Sequence, residues 1–147
     1  MKVNECMCEN VICADPDTTV SEIAKLMSEK HVGCIPICEY NKQIVGIVTD
    51  RDIALRSVAC GKDANTTKAS EIMTTDVYKV TTNSDVTDAT KLMCDCQVRR
   101  IPVTNGNTVI GIITLADLVN NKNISDEQLT TTVEGICNCN NNQQNWM

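Results

Sequence analysis

A chain of 147 residues, 42% hydrophobic, is long enough to bury its own core, but with no Phe, one Trp and two Tyr that core must be built from Ile, Val, Leu, Met, Ala and Cys. A net charge of −6 with a pI near 4.7 excludes a basic face for nucleic acid, and the scarcity of aromatic residues excludes a base-stacking platform. No apolar run approaches the roughly 18 residues of a membrane span, and no signal-peptide core follows Met1-Lys2-Val3-Asn4-Glu5, so a soluble cytoplasmic protein is expected.

In chain order, a short β-branched strand near Val11 to Cys13 leads into a turn rich in Asp, Thr and Pro. Thr19-x-x-Glu22 then marks a helix start of the capping-box type, with apolar residues at 20, 23, 24, 26 and 27 on one face. Cys34 to Glu39 and Ile44 to Thr49 read as a hairpin, and a closing helix follows Thr49 through Ile53-Ala54-Leu55. Residues 61–72 read as a linker and a short helix. The same order then recurs: a strand over Val77 to Val80, a helix opened by Asp85-x-x-Asp88, a hairpin of Arg100 to Thr104 with Thr108 to Thr114, and a helix through Leu118-Val119. Asn105-Gly106 gives that second hairpin a type I′ turn signal. Ser125 to Ile136 predicts a terminal helix, and the Asn- and Gln-rich stretch Asn138 to Met147 predicts disorder.

The recurrence is a true repeat. A shift of 66 residues lays Met7, Val11 and Val20 on Met73, Val77 and Val86, and Lys25-Leu26-Met27 on Lys91-Leu92-Met93. Val32, Ile35 and Pro36 fall on Val98, Ile101 and Pro102; after one deletion Gly46, Ile47, Thr49 and Asp52 fall on Gly111, Ile112, Thr114 and Asp117. The expected division is repeat one over 3–60, linker over 61–72, repeat two over 73–120 and a tail over 121–147. One strand-helix-strand-strand-helix unit would leave a small sheet with a bare apolar face, which a second copy can cover.

Gly46-Ile47-Val48-Thr49-Asp50-Arg51-Asp52 and Gly111-Ile112-Ile113-Thr114-Leu115-Ala116-Asp117, each preceded by an apolar-x-x-apolar-Pro segment ending at Pro36 or Pro102, resemble the signature of the CBS (cystathionine-beta-synthase) domain. The resemblance covers roughly residues 3–120. It implies an α+β fold of two β-α-β-β-α repeats packed through their sheets with pseudo-two-fold symmetry, a regulatory module for AMP, ADP, ATP or a related adenosyl compound, and a homodimer. It further implies that Thr49, Asp52, Thr114 and Asp117 hold phosphate and ribose, and that the first strands, Ile12-Cys13 and Lys79-Val80, read adenine through their backbone. The residues support those roles on their own chemistry: a hydroxyl at a helix start can donate to phosphate, and an ionised carboxylate accepts from vicinal hydroxyls. The same Thr-x-x-Asp spacing is also a plain helix cap that binds nothing.

The two copies differ in basic residues. Arg99 and Arg100 precede Ile101-Pro102, whereas Gly33-Cys34 stand before Ile35-Pro36, leaving Arg51 and the lone His31 as the first copy's candidates. One site is therefore expected to dominate. His31 reads rather as an exposed helix-end residue facing the negative dipole end, and Arg99 and Arg100 read equally as surface or interface ion-pair partners. No catalytic constellation competes: there is one His, no Walker loop and no zinc-protease helix, so no enzyme and no cofactor are expected. Most of the ten cysteines read as small apolar residues in a reducing compartment; the weaker alternative is a metal or redox site of Cys6, Cys8, Cys137 and Cys139 if the chain ends meet. The expected partners are an adenine nucleotide, a second copy of the chain and an unidentified effector protein, with neither nucleic acid nor membrane.

Overall fold

The computed structural model describes residues 1–138. Its helices and strands follow in the order α1 (Val20–Lys30), β1 (Cys34–Cys38), β2 (Ile44–Thr49), α2 (Asp50–Asp52), α3 (Ala69–Ile72), β3 (Val80–Thr81), α4 (Val86–Cys96), β4 (Arg100–Asn105), β5 (Thr108–Thr114), α5 (Leu115–Asn120) and α6 (Asp126–Cys137). The expected tail beyond Asn138 lies outside the described residues. None of the described helices is long and apolar enough to cross a membrane.

Two compact units form. The first comprises residues 10–77 with 106–109, and the second comprises residues 1–9, 78–105 and those from 110 on. Each has its own core. In the first, Val20, Ile23, Met27, Ile35, Ile37, Val48, Ala69 and Ile72 close together; in the second, Val3, Val86, Ala89, Met93, Ile101, Val103, Ile113 and Leu118 do so. The i, i+3, i+7 spacing of Val20, Ile23 and Met27 puts these residues on one stripe of α1, and Val86, Ala89 and Met93 repeat it on α4. Both helices open on reciprocal caps. Glu22 N–H donates to Thr19 Oγ1 at 3.2 Å and Thr19 N–H to Glu22 Oε2 at 2.9 Å, while Asp85 N–H donates to Asp88 Oδ2 at 3.1 Å.

The units do not follow the sequence repeats, because each is completed by the segment that leads into the other repeat. In the first unit, α3 buries Ala69 and Ile72, and Thr74 pairs with Ile47 of β2 through two backbone hydrogen bonds of 2.9 and 3.0 Å. In the second, Val3 is fully buried, and Cys8 pairs with Ile112 of β5 through bonds of 2.8 and 2.9 Å. These antiparallel bridges satisfy backbone groups along the outer side of each hairpin's second strand, which would otherwise be a bare edge.

Four local expectations are corrected. The strand expected over Val11 to Cys13 shrinks to a single parallel bridge, Ala14 to Ile37, since Pro16 and the Asp15 turn cut the extended run short. Its counterpart is the two-residue β3, parallel to β4 at Val80 and Val103. The closing helix after Thr49 is α-helical only over Asp50–Asp52 and continues as a π-helix through Ile53–Val58. The turn after Asn105 is not type I′: of the loop residues Gly106 and Asn107 only Gly106 has a positive φ (62°), the type II′ pattern.

His31 ends α1 at φ 55°, and Gln97 ends α4 at φ 53°, so both copies place a non-glycine residue at the left-handed cap. A Cβ in that conformation meets the adjacent carbonyl. Replacing His31, an exposed residue, by glycine is expected to raise stability by about 0.5–1 kcal/mol, less than the full strain because glycine also gains freedom in the unfolded chain. The check is a higher urea midpoint at unchanged m-value.

Candidate functional site

The residues singled out in the sequence separate cleanly between the units. Ile12, Cys13, Thr49, Arg51 and Asp52 lie in the first, and Lys79, Val80, Arg99, Arg100, Thr114 and Asp117 in the second. In each, the last residue of the hairpin's second strand caps the helix that follows, so strand end and helix start are fixed by the same side chains.

In the first unit, Asp52 N–H donates to Thr49 Oγ1 at 3.2 Å, and Thr49 N–H to Asp52 Oδ2 at 2.9 Å. Asp50 N–H donates to the Gly33 carbonyl at 3.0 Å, which anchors the loop to the start of β1. The other carboxylate oxygen, Asp52 Oδ1, faces Arg56 Nε at 3.7 Å. Arg56 Nη1 also donates to the Ile72 carbonyl at 3.0 Å and to Thr74 Oγ1 at 3.2 Å, so it ties the closing helix to α3 and the bridge beyond it. Arg56 was not among the sequence candidates, although its i, i+4 spacing from Asp52 is a legible ion-pair signal.

The second unit repeats the box with tighter geometry. Thr114 N–H and Thr114 Oγ1–H both donate to Asp117 Oδ2 at 2.7 Å, and Asp117 N–H donates to Thr114 Oγ1 at 3.2 Å. Leu115 N–H donates to the Arg99 carbonyl at 2.9 Å, the counterpart of the Asp50 to Gly33 bond. Asn121 stands where Arg56 stands in the first copy, and Asp117 Oδ1 accepts no hydrogen bond among the described residues. Arg99 is exposed and Arg100, opening β4, is half-buried; among the described residues neither they nor the exposed Arg51 enter an ion pair. Helix-end attraction for anions is modest at the second box, since α5 has only six residues. Positive charge near the second box therefore rests on the arginines.

First-strand residues are held differently in the two units. Ile12 and Cys13 are half-buried beside the Ala14 bridge, whereas Val80 is buried within β3 and Lys79 is exposed just before it. As for a thiol metal site, no group of three or more His, Cys, Asp or Glu side chains converges among the described residues. Cys6, Cys8 and Cys137 are free thiols in the second unit, and Cys139 lies outside the described residues.

Comparison with known proteins places this geometry in a family. The CBS domain model matches residues 3–58 and again 69–123. The chain is 37% identical over 134 residues to the CBS domain-containing protein YhcV of Bacillus subtilis, covering 91% of this chain and 94% of that protein. It is 32% identical over 127 residues to Hypoxic response protein 1 of Mycobacterium tuberculosis, covering 86% and 87%. The crystal structure of Hypoxic Response Protein I with two coordinated zinc ions superposes with a TM-score of 0.77 over 82% of this chain and 98% of that one. The CBS domain pair of protein MJ0100, in complex with 5-methylthioadenosine and S-adenosyl-L-methionine, is 26% identical with a TM-score of 0.72 over 81% and 93%. Two matched copies, each with its Thr-x-x-Asp box closing a hairpin, make this chain a member of the CBS-domain family, built as a tandem pair.

Proposed function

We propose that this CBS pair is a sensor of an adenosine-containing compound (AMP, ADP, ATP or an adenosyl ligand), with the second unit as the stronger site. Stand-alone CBS-domain proteins are typically regulatory and non-catalytic, and here the observation that carries the ligand reading is the division of labour in Asp117. One carboxylate oxygen holds the loop through two bonds from Thr114, while the other accepts nothing among the described residues and suits a ribose hydroxyl. Arg99 and Arg100 in the same unit supply phosphate-seeking guanidinium groups. The adenosyl compounds bound by the MJ0100 pair support the same ligand class.

Ligand binding acts by favouring one of two arrangements of the assembly. A second copy of the chain is the proposed partner. Leu55 (49% exposed) and Val58 (70%) on the first closing helix and Val119 (57%) on the other are apolar side chains left in solvent within each unit. Calorimetry with AMP, ADP, ATP, S-adenosylmethionine and methylthioadenosine tests the sensor reading, with saturable heat expected for at least one below millimolar concentration. Silence from all five at millimolar concentration overturns it in favour of an interaction subunit with degenerate sites. The zinc in the Hypoxic Response Protein I structure motivates a parallel measurement, elemental analysis of protein purified under anoxic conditions.

A further inference from the structure

Cys13 and Cys38 both line an open pocket of about 540 Å³ in the first unit. The backbone sets this up. Ala14 and Ile37 form a parallel bridge, with Ala14 N–H donating to the Pro36 carbonyl at 3.1 Å and Cys38 N–H to the Ala14 carbonyl at 2.8 Å. Because side chains alternate along extended backbone, the residue before Ala14 and the residue after Ile37 project to the same face. Ile37 is fully buried in the core, and both cysteines line the pocket, Cys38 buried (6% exposed) and Cys13 half-buried, so Cys13 is the more open sulfur. There the Cys13 and Cys38 side chains are neighbours on the pocket wall, close enough for the Cys38 thiol to donate a hydrogen bond to the Cys13 sulfur once that sulfur ionises.

That bond divides the roles of the two sulfurs. The donated proton, helped by the Lys42 ammonium and opposed by burial, brings the Cys13 thiol down to about 7, and the same bond with burial pushes Cys38 up. Asp15, Glu22 and Glu39 are the other charged groups on the pocket. Burial pushes Cys6, Cys94 and Cys96 in the opposite direction from Cys13.

We propose that Cys13 and Cys38 are a thiol–disulfide exchange site, in which Cys13 attacks a small-molecule disulfide entering the pocket and Cys38 closes the product into an intrachain disulfide. In the first step the Cys13 thiolate forms a bond to one sulfur of the incoming disulfide. The old sulfur–sulfur bond breaks, and the departing thiolate leaves with its electron pair. Cys13 is then a neutral mixed disulfide and no longer accepts the Cys38 proton, so the main influence holding that proton is gone. The proton passes to the departed thiolate. Cys38 attacks the Cys13 sulfur and expels the second small thiolate, which takes up the proton that Cys13 had released to solvent. The protein loses two protons and two electrons, and one small disulfide becomes two thiols. The new bond locks residues 13 and 38 together, where reduced protein holds this segment to the hairpin by the Ala14–Ile37 bridge and the packing of Ile12 and Ala14 on the core.

The test uses the full chain, reduced and handled without oxygen, and the disulfide cystamine, whose ammonium groups suit the three carboxylates on the pocket. After acid quench, thiol capping and peptide mapping, a Cys13–Cys38 linked peptide is expected before any other cysteine reacts. Cys38→Ser is expected to stop at a cysteamine adduct on Cys13, and Cys13→Ser to leave Cys38 unmodified. A separate readout on the unaltered protein is the rate of Cys13 alkylation by iodoacetamide against pH. Its midpoint is expected near 7, moving towards the ordinary thiol value of about 8.5 in Cys38→Ala, which removes the donor that Cys38→Ser would keep. Two results on unaltered protein overturn the proposal whatever the variants do: cystamine labelling the exposed Cys8, Cys60 or Cys137 while Cys13 and Cys38 stay free, or a Cys13 midpoint at the ordinary value.

Discussion

Gly111→Val should lower the stability of the protein by about 2–3 kcal/mol, the upper range for overpacking a filled site. A Cβ at Gly111 would stand 2.6 Å from Met7 Sδ, 3.3 Å from Met7 Cε and 3.1 Å from the Cys8 carbonyl oxygen. Methionine can swing aside at modest cost, so alanine alone is absorbed in part. The Cys8 carbonyl cannot follow, because it accepts the Ile112 N–H at 2.9 Å in the bridge that holds the leading segment to β5. Valine adds two methyls to a space that admits none and forces that bridge to open. Gly46→Val should cost a similar amount, since its Cβ would stand 2.5 Å from Met73 Sδ, 2.8 Å from Met73 Cγ and 3.1 Å from the Thr74 carbonyl. Urea unfolding of both variants measures the effect, and a Gly111→Ala, Met7→Ala pair should show coupling above about 0.5 kcal/mol in a double-mutant cycle. Stability unchanged in Gly111→Val would mean that residues 1–9 do not complete the second unit.

That exchange of leading segments is the part of the fold the sequence did not disclose. Hydrophobic spacing made α1 and α4 legible, and Thr19-x-x-Glu22 and Asp85-x-x-Asp88 located their starts, because those signals are written within a few residues of the structure they create. Met7 and Met73 were visible as matched positions. Nothing local, however, says that each packs on the glycine belonging to the other repeat; that pairing is decided by which edge strand needs covering. The π-helix after Asp52 was hidden for a related reason. Ile53-Ala54-Leu55 carries ordinary helical spacing, and the register change emerges only where Arg56 reaches the Ile72 carbonyl and Thr74. In the site, both Thr-x-x-Asp boxes and the uneven share of arginines between them were legible, but not the different state of the two aspartates. That depends on Arg56 standing in one copy where Asn121 stands in the other, and on which oxygen of each aspartate the loop already uses. The Cys13 and Cys38 contact was equally out of reach, being set by one bridge between residues 14 and 37.

Asp117→Asn is expected to weaken binding of the adenosine compound by about 10- to 100-fold, whereas Asp52→Asn weakens it only a few-fold. The asparagine keeps the size of the side chain and one oxygen to accept from Thr114 N–H, so much of the cap survives. What it loses is the second acceptor and the charge, and a hydrogen bond to a charged group is worth about 1.5–3 kcal/mol. The loss is smaller in the first unit because Asp52 Oδ1 already faces Arg56 at 3.7 Å, so a ribose hydroxyl must compete with a guanidinium there. Alanine is the poorer probe at either position. Asp117→Ala also removes the acceptor of two 2.7 Å bonds from Thr114, a capping loss of about 1 kcal/mol that mixes stability with affinity. Titration calorimetry of the two asparagine variants, well below their unfolding midpoints, separates the cases. A larger loss in Asp52→Asn moves the working grip to the first unit, where Arg51 is the available cation. Affinity unchanged in both variants would leave the two boxes as helix caps, with the ligand held elsewhere.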